Sequence, residues 1–223
     1  MRIIYIPGFG EKPNIFDHIA PHIASSESII LDNWVLLQNM PIKELDALRY
    51  ASTLVTTYNI TRDDVIIGHS MGGRVAIYIK HLVNCRIVQI ASWTDPAKII
   101  WPIANLTVIH FLVKSGLFFN RFVRKYFSSK NYNDKPSADI FAETFERLKK
   151  GNKVDVMKQL RVIFKSVKVK VKVTPDLRIH SPADSIVRPP SEPFAEVPGD
   201  HFVLYTHPQQ VYSPILKCLS EGE

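Results

Sequence analysis

A strand, a tight glycine-rich turn and a helix are predicted to follow one another around Ser70. Residues 65–67 form a short apolar run, residues 68–73 have the sequence GHSMGG, and residues 74–79 have the pattern of a helix with a buried face. Glycines two positions before and two after the serine allow a sharp backbone turn, which exposes the serine at the carboxyl end of the strand. In this context the G-x-S-x-G pattern predicts a nucleophile elbow, with Ser70 as the nucleophile.

A carboxylate and an imidazole follow in the carboxyl-terminal quarter of the chain. Asp184 lies in the loop after a predicted strand at residues 177–180, and His201 follows a predicted strand at residues 194–197. A serine hydroxyl becomes a good nucleophile when an imidazole takes its proton, and a carboxylate holds that imidazole in the required tautomer. The chain therefore contains the members of a predicted catalytic triad: Ser70, Asp184 and His201.

With these motifs the chain resembles the α/β-hydrolase superfamily, and in particular its small cap-bearing serine hydrolases, such as the short carboxylesterases and thioesterases. The resemblance covers residues 1–91 and 173–220. The order Ser, Asp, His along the chain is the one expected for this superfamily. Residues 181–187, with the pattern S-P-A-D-x-I-V, resemble the usual acid loop, although Ser181 stands where the family often has glycine.

Residues 6–10, with the sequence IPGFG, resemble the oxyanion loop of this superfamily, which is usually written H-G-x-G. Pro7 stands where the family usually has histidine. By this match, the resemblance implies an oxyanion hole made of the backbone N–H groups of Phe9 and Met71, the second being the residue after the nucleophile.

The choice of the acid has an alternative. Asp95 follows a predicted strand at residues 86–90, and some family members carry the acid after that strand. Asp184 is favoured because its loop resembles the usual acid loop. Asp200, although next to the candidate base, is expected to be a solvated turn residue, since neighbouring side chains on an extended loop point apart. His69 is expected to pack beside the elbow.

The order of the predicted elements indicates an α/β fold with a mostly parallel, doubly wound sheet of about six strands and an inserted, largely helical cap. Alternating strands and helices favour a parallel sheet covered on both faces. We expect strands at residues 3–6, 29–31, 65–67, 87–90, 177–180 and 194–197, and helices at residues 42–58 and from near residue 209 to 219. The core is predicted to comprise residues 1–91 and 175–223, and the cap residues 92–174.

The predicted cap, residues 92–174, is strongly basic. It holds seventeen Lys and Arg against six Asp and Glu, an excess of eleven positive charges, whereas the whole chain carries +7. Residues 99–119 are mostly apolar, and we expect a cap helix whose side chains line an acyl pocket. Lys98 and Lys114 leave too short a stretch between them for a membrane span of about 20 residues, so peripheral membrane contact is the alternative. Alternating Val and Lys at residues 167–173 predict an extended edge segment.

The sequence thus predicts a serine hydrolase that cleaves a carboxylic ester or thioester through an acyl-enzyme. A lyase or acyl-transfer reaction on the same triad, and non-catalytic binding of a small ligand, are the alternatives. No cofactor, metal or nucleic-acid partner is expected. The charge of the cap favours an anionic substrate as much as it favours a solvated basic face. Two widely spaced cysteines, and a predicted core strand with no signal peptide ahead of it, lead us to expect a cytoplasmic location.

Overall fold

A parallel sheet of six strands forms the centre of the molecule. The structure is a computed structural model that describes residues 1–100, 105–127 and 132–221. The strands are β1 (Arg2–Ile6), β2 (Glu27–Ile30), β3 (Val65–His69), β4 (Arg86–Ile90), β5 (Leu177–His180) and β6 (Ala195–Glu196). They lie side by side in the order β2-β1-β3-β4-β5-β6, and each neighbouring pair is parallel. Each of the six predicted strands overlaps one of these.

Helices connect the strands and follow the last of them. The α-helices of the described residues are α1 (Asn33–Gln38), α2 (Ala47–Tyr58), α3 (Met71–Val83), α4 (Leu106–Lys114), α5 (Arg121–Phe127), α6 (Ala138–Lys150), α7 (Lys153–Phe164), α8 (Val203–Thr206) and α9 (Pro208–Ser220). Short 3₁₀ turns lie at Pro13–Phe16, Ala20–His22, Pro96–Lys98 and Leu117–Phe119. The alternation of strands and helices places the carboxyl ends of all six strands at one edge of the sheet.

The sheet is buried on both faces, since alternate residues of a strand belong to different apolar clusters. In β1, Ile4 and Ile6 pack in one cluster with side chains of α2, α3 and α7. Ile3 and Tyr5 pack in the other cluster with side chains of α8 and α9. All four strand residues are 0% exposed. Helices therefore cover both faces, which is the arrangement expected of a doubly wound sheet.

Helix α2 begins later than the sequence pattern predicts. The helix was expected from residue 42, but Asp46 ends the preceding turn and its carboxylate accepts a hydrogen bond from the Arg49 amide at 2.9 Å. An aspartate in this position satisfies a backbone donor of the first helical turn and so fixes the start of the helix. Asn59 ends the helix in the left-handed conformation, with φ 49°. Ile42 and Leu45, which precede Asp46, pack against the same core cluster as the helix but are not part of the helix.

A largely helical segment lies between β4 and β5 and contains α4, α5, α6 and α7. Helix α7 contacts α1, α2 and α3 of the part predicted as the core, and also α4. An antiparallel bridge joins Ile99 to Val187 and ties the start of this segment to the loop after β5. The insertion agrees with the predicted fold class. Its boundaries at residues 92 and 174 stay a prediction.

Residues 99–119 do not form one helix. Residues 101–104 lie outside the described residues, and so does Lys130 of the basic segment. Helix α4 ends at Lys114, and Gly116 follows in the left-handed conformation, with φ 76°, before the 3₁₀ turn Leu117–Phe119. The apolar run therefore contains helix α4, and a glycine interrupts the run before its end.

The alternating segment at residues 167–173 forms no strand, although its pattern reflects burial. Val167, Val171 and Val173 are partly buried against the core cluster, while the lysines between them are exposed. Val169 departs from the pattern and is 44% exposed. Three of the four valines therefore face the core as the alternation predicts, while the segment forms no strand.

Within the described residues, no single helix is long and apolar enough to span a membrane. Helix α4 and the segment Leu117–Lys125 are together long and apolar enough for a membrane span, but the two are bent by 77° relative to each other. Several apolar side chains in this region are exposed, including Phe111 at 66% and Phe122 at 69%.

Candidate active site

Ser70 lies in the sharp turn between β3 and α3, and its backbone has φ 51° and ψ −116°. Residues other than glycine rarely adopt such a conformation, and functional sites are where it occurs most often. Gly72 is required here, because a Cβ atom on it would lie 1.9 Å from the Ile6 carbonyl oxygen. Hydrogen bonds to β4 and the residues after it hold the turn, since the Ser70 amide donates to the Ile90 carbonyl at 2.9 Å and the Ser70 carbonyl accepts from the Ser92 hydroxyl at 2.6 Å.

The structure brings the three residues of the predicted triad into one chain of hydrogen bonds. Ser70 Oγ lies 2.9 Å from His201 Nε2, and His201 Nδ1 lies 2.8 Å from Asp184 Oδ2. The other carboxylate oxygen, Asp184 Oδ1, accepts from the amides of Ile186 and Val187 at 2.8 and 2.9 Å. An ionised Asp184 only accepts, so His201 Nδ1 carries the hydrogen and Nε2 is left to accept from the serine. This is the tautomer that a general base needs.

The buried acid and base shift each other's pKa. Burial opposes ionisation of the Asp184 carboxyl, but the charge and the hydrogen bond of His201 outweigh it and hold the pKa of Asp184 below its ordinary value. Burial likewise opposes protonation of His201, but the charge and the hydrogen bond of Asp184 outweigh it and raise the pKa of His201 above its ordinary value. Asp184 therefore stays ionised while it supports a strengthened base.

The rival acid, Asp95, lies away from the imidazole. Its side chain is exposed and accepts a hydrogen bond from the Ala97 amide at 2.9 Å, at the start of a 3₁₀ turn. The Asp95 carboxylate thus satisfies a backbone donor at the start of this turn, which is a common structural role of aspartate. Of the two candidates, Asp184 is the one that contacts His201.

Asp200 is not a solvated turn residue, so that expectation is wrong. It is 3% exposed, and its carboxylate accepts hydrogen bonds from the Ser137 hydroxyl and, at 3.0 Å, from the Phe202 amide. Ser137 immediately precedes α6, so the start of this helix covers the loop that carries His201. A residue 63 positions away in sequence provides this contact, which local pattern cannot indicate.

The predicted oxyanion donors lie where the backbone on either side is firmly held. The carbonyl of Pro7 accepts from the Asn33 side chain at 2.8 Å, and the amide of Gly10 donates to Gln159 Oε1 at 2.9 Å. Within the described chain, the amides of Phe9 and Met71 donate to no protein acceptor. Two free amides beside a serine nucleophile are able to bind a developing oxyanion.

A cavity of about 150 Å³ adjoins Ser70 and His201. Its wall is mostly apolar, with aromatic side chains from the turn at Leu117–Phe119, from α6 and from the end of α7. The apolar lining residues are Phe9, Trp93, Ile99, Ile100, Phe118, Phe119, Val123, Tyr132, Phe141, Phe145, Leu148, Leu160, Ile163, Phe164, Ile186 and Phe202. Among the described lining residues there is no Lys or Arg. The described basic residues of the insertion therefore lie outside the cavity lining.

No protein-family model matches the sequence, and no curated protein sequence matches it. Solved structures do match. A hydrolase from Oleispira antarctica has a TM-score of 0.72 at 14% identity over 98% of this chain and 90% of its own. The chain has the α/β-hydrolase fold. A bromoperoxidase from Bacillus anthracis (0.69, 14%, 98% and 91%) and an esterase from Exiguobacterium antarcticum (0.70, 10%, 99% and 92%) share the α/β-hydrolase fold with it.

These structural matches confirm the predicted fold class, the α/β-hydrolase fold. At such low identity they show the fold alone, and the names of the matching proteins denote different chemistries. Because one fold hosts many reactions, the activity must be argued from the site.

Sequence reasoning did not find one charged residue of the site, Glu11. Its carboxyl lies in the cavity wall and is 3% exposed, next to the predicted oxyanion loop. A single glutamate in a loop has no periodicity or motif to mark it.

Proposed function

We propose that this protein is a serine hydrolase that cleaves a carboxylic ester or thioester through an acyl-enzyme intermediate. One observation carries the proposal: the hydroxyl of Ser70 lies 2.9 Å from His201 Nε2, while the other ring nitrogen lies 2.8 Å from the buried carboxylate of Asp184. A serine, a base and an orienting acid in this geometry are the parts that acyl transfer to serine requires.

The reaction proceeds in two halves. Ser70 Oγ attacks the acyl carbon while His201 Nε2 takes the hydroxyl proton, and Asp184 stabilises the imidazolium that forms. The amides of Phe9 and Met71 bind the tetrahedral oxyanion. The imidazolium then protonates the leaving alkoxide or thiolate, which departs as the alcohol or thiol and leaves the acyl-enzyme. A water molecule, deprotonated by the same imidazole, attacks the acyl carbon. The imidazolium returns that proton to Ser70 Oγ as the bond between Oγ and the acyl carbon breaks, and the acid is released.

The cavity supports an apolar acyl group. Its described walls are almost wholly aliphatic and aromatic, and its volume is about 150 Å³. An apolar cavity of that volume in another protein holds benzene, so the space fits a group of about six carbon atoms. We therefore assign the cavity to the acyl side of the substrate, with the leaving group towards solvent.

A fluorophosphonate probe and a substrate panel test this function. The probe should label the wild type at Ser70, and the panel should contain p-nitrophenyl esters and acyl-CoA thioesters of graded chain length. Ser70→Ala should abolish labelling and lower kcat by a factor on the order of 10⁴ or more, as loss of the nucleophile does in other serine hydrolases.

The matched control is Ser213→Ala, because Ser213 is an exposed serine in α9 whose hydroxyl bonds only a backbone carbonyl of its own helix. It should label and turn over like the wild type. Retention of more than a tenth of the activity in Ser70→Ala would contradict the proposal. A wild type that binds substrate but neither reacts with the probe nor turns over would favour a binding protein.

A further inference from the structure

A buried carboxylate next to the triad has no part in the mechanism above. Glu11 is 3% exposed, and burying a carboxylate is costly unless it is paired and hydrogen-bonded. Its Oε2 accepts from the Gly8 amide at 2.5 Å. His69 Nδ1 lies 2.8 Å from Oε1 and 2.9 Å from Oε2. The side chain of His69 is 0% exposed, so both members of this Glu11–His69 pair are enclosed.

The hydrogen bond of His69 Nε2 determines the number of protons on the Glu11–His69 pair. His69 Nε2 lies 2.9 Å from the backbone carbonyl oxygen of His201. A carbonyl oxygen only accepts, so Nε2 carries a hydrogen. One further proton must then lie between Nδ1 and the Glu11 carboxylate, since neither an unprotonated nitrogen nor a carboxylate can donate. The pair is therefore hydrogen-bonded at every polar atom and has no net charge.

The Glu11–His69 pair joins three parts of the candidate site that are far apart in sequence. Its carboxylate binds the amide of Gly8, which directly precedes the predicted oxyanion donor. Its imidazole belongs to the residue before the nucleophile and binds the backbone of His201, 132 positions further along the chain. A Cβ atom on Gly8 would lie 2.8 Å from Glu11 Oε2, so a side chain at this position would displace the carboxylate.

We propose that the Glu11–His69 pair is a positioning device that holds the oxyanion loop at a fixed distance from the nucleophile and the base. The inference rests on the proposed function, because an oxyanion hole matters only if an oxyanion forms. Preorganised donors stabilise a transition state because they need no reorganisation when the charge develops. In this chain the loop is supported from Glu11, whose carboxylate accepts from the Gly8 amide.

Two substitutions of Glu11 separate positioning from charge. In Glu11→Gln, the amide oxygen can accept from Gly8 and the amide nitrogen can donate to a neutral His69, so the hydrogen bonds persist without a shared proton. This variant should keep kcat within about tenfold of the wild type, since it alters one hydrogen bond and leaves no buried partner unpaired. Glu11→Ala removes both contacts and should lower kcat by about 10² to 10³, the cost of losing one oxyanion donor, with KM nearly unchanged.

Asp64→Ala is the matched control for a general loss of stability. Asp64 is also buried, at 5% exposed, and it binds Arg2 at the opposite end of β1, away from the site. This variant should lose stability and keep kcat. A Glu11→Ala variant with the kcat of Asp64→Ala would overturn the proposal, and so would a Glu11→Gln variant as inactive as Glu11→Ala.

Hydrogen exchange gives a readout that does not depend on turnover. The amide of Gly8 should exchange slowly in the wild type and in Glu11→Gln, and much faster in Glu11→Ala, while the Gly10 amide stays protected by Gln159. If the wild type neither reacts with a fluorophosphonate nor hydrolyses any ester, the proposed function fails. Unchanged protection of Gly8 in Glu11→Ala would separately overturn the positioning role, whatever the activity.

Discussion

At the scale of single residues, the site depends on which carboxylate contacts His201. Asp184→Asn keeps the shape of the side chain but favours the wrong tautomer of the imidazole, and the same change in a serine protease lowers kcat by about 10⁴. Asp95 is exposed and lies at the start of a 3₁₀ turn. Asp95→Asn should change kcat less than about twofold, because asparagine caps a turn about as well as aspartate. Steady-state kinetics on one p-nitrophenyl ester compares the two variants.

The opposite pattern would overturn the assignment of the acid. An inactive Asp95→Asn together with an active Asp184→Asn would place the acid after β4. Circular dichroism of both variants shows whether a lost activity reflects a lost fold.

The pH dependence of activity follows from the base. His201 must be neutral to take the serine proton, and Asp184 raises the pKa of His201 above the ordinary histidine value of 6.5. Therefore kcat/KM should fall as the pH decreases through a midpoint above 6.5. In Asp184→Asn the negative charge is gone, so the midpoint of the residual activity should move to lower pH. Profiles of kcat/KM between about pH 5 and 9 cover the range in which histidine titrates. A wild-type midpoint below 6.5 would contradict the geometry.

The same shift has a consequence for stability. A histidine whose pKa is raised on folding stabilises the protein fully below the unfolded pKa, and this contribution is lost as the pH rises through the folded pKa. The proton that stabilises the fold is thus the one that must leave before the enzyme acts.

At the scale of elements, side chains of α6, α7 and the turn at Leu117–Phe119 line the cavity, and under the proposed function they limit the length of the acyl group. Each methylene buried there contributes about 0.8 kcal/mol, so kcat/KM should rise about fourfold per carbon. The increase in kcat/KM should stop at about six carbons, when the cavity is full. p-Nitrophenyl esters from acetyl to decanoyl measure this series.

Phe145→Ala is the variant that checks the assignment of the cavity. Phe145 projects from α6 into the wall and is 8% exposed. Removal of its ring should move the plateau to longer chains and weaken binding of short ones. A chain-length profile identical to that of the wild type would assign the acyl group to another surface.

At the scale of the whole molecule, charge is concentrated in one part of the chain. Residues 92–174 have an excess of eleven positive charges, while the described cavity lining has no Lys or Arg. We propose that such a distribution speeds the approach of an anionic substrate without changing the chemistry at Ser70. The attraction is screened over about 10 Å at 0.1 M salt.

The resulting prediction compares an anionic ester with a neutral one. For a dicarboxylate monoester, kcat/KM should fall severalfold between low and moderate ionic strength, because steered association depends steeply on salt. A neutral ester of equal chain length should show nearly constant kcat/KM. Parallel salt profiles for the two esters would restrict the basic segment to a structural or solubility role.

The sequence by itself determined the sheet, the elbow, and the serine and histidine of the predicted triad. Each of these depends on local pattern: apolar runs for the strands, and glycines at fixed distances from Ser70 for the turn. Parallel strands bring their carboxyl ends to one edge, so Asp184 and His201, each following a strand, could be expected beside Ser70 from chain order alone.

Only the tertiary structure decided which side chains support that site. Asp184 is hydrogen-bonded to His201 and Asp95 is not, Asp200 is buried by the start of α6, and Glu11 contacts His69 across 58 positions of sequence. These contacts join elements that are distant in the chain, and a single carboxylate leaves no periodic signal. Packing alone determines whether such a group lies in water or in the wall of the cavity.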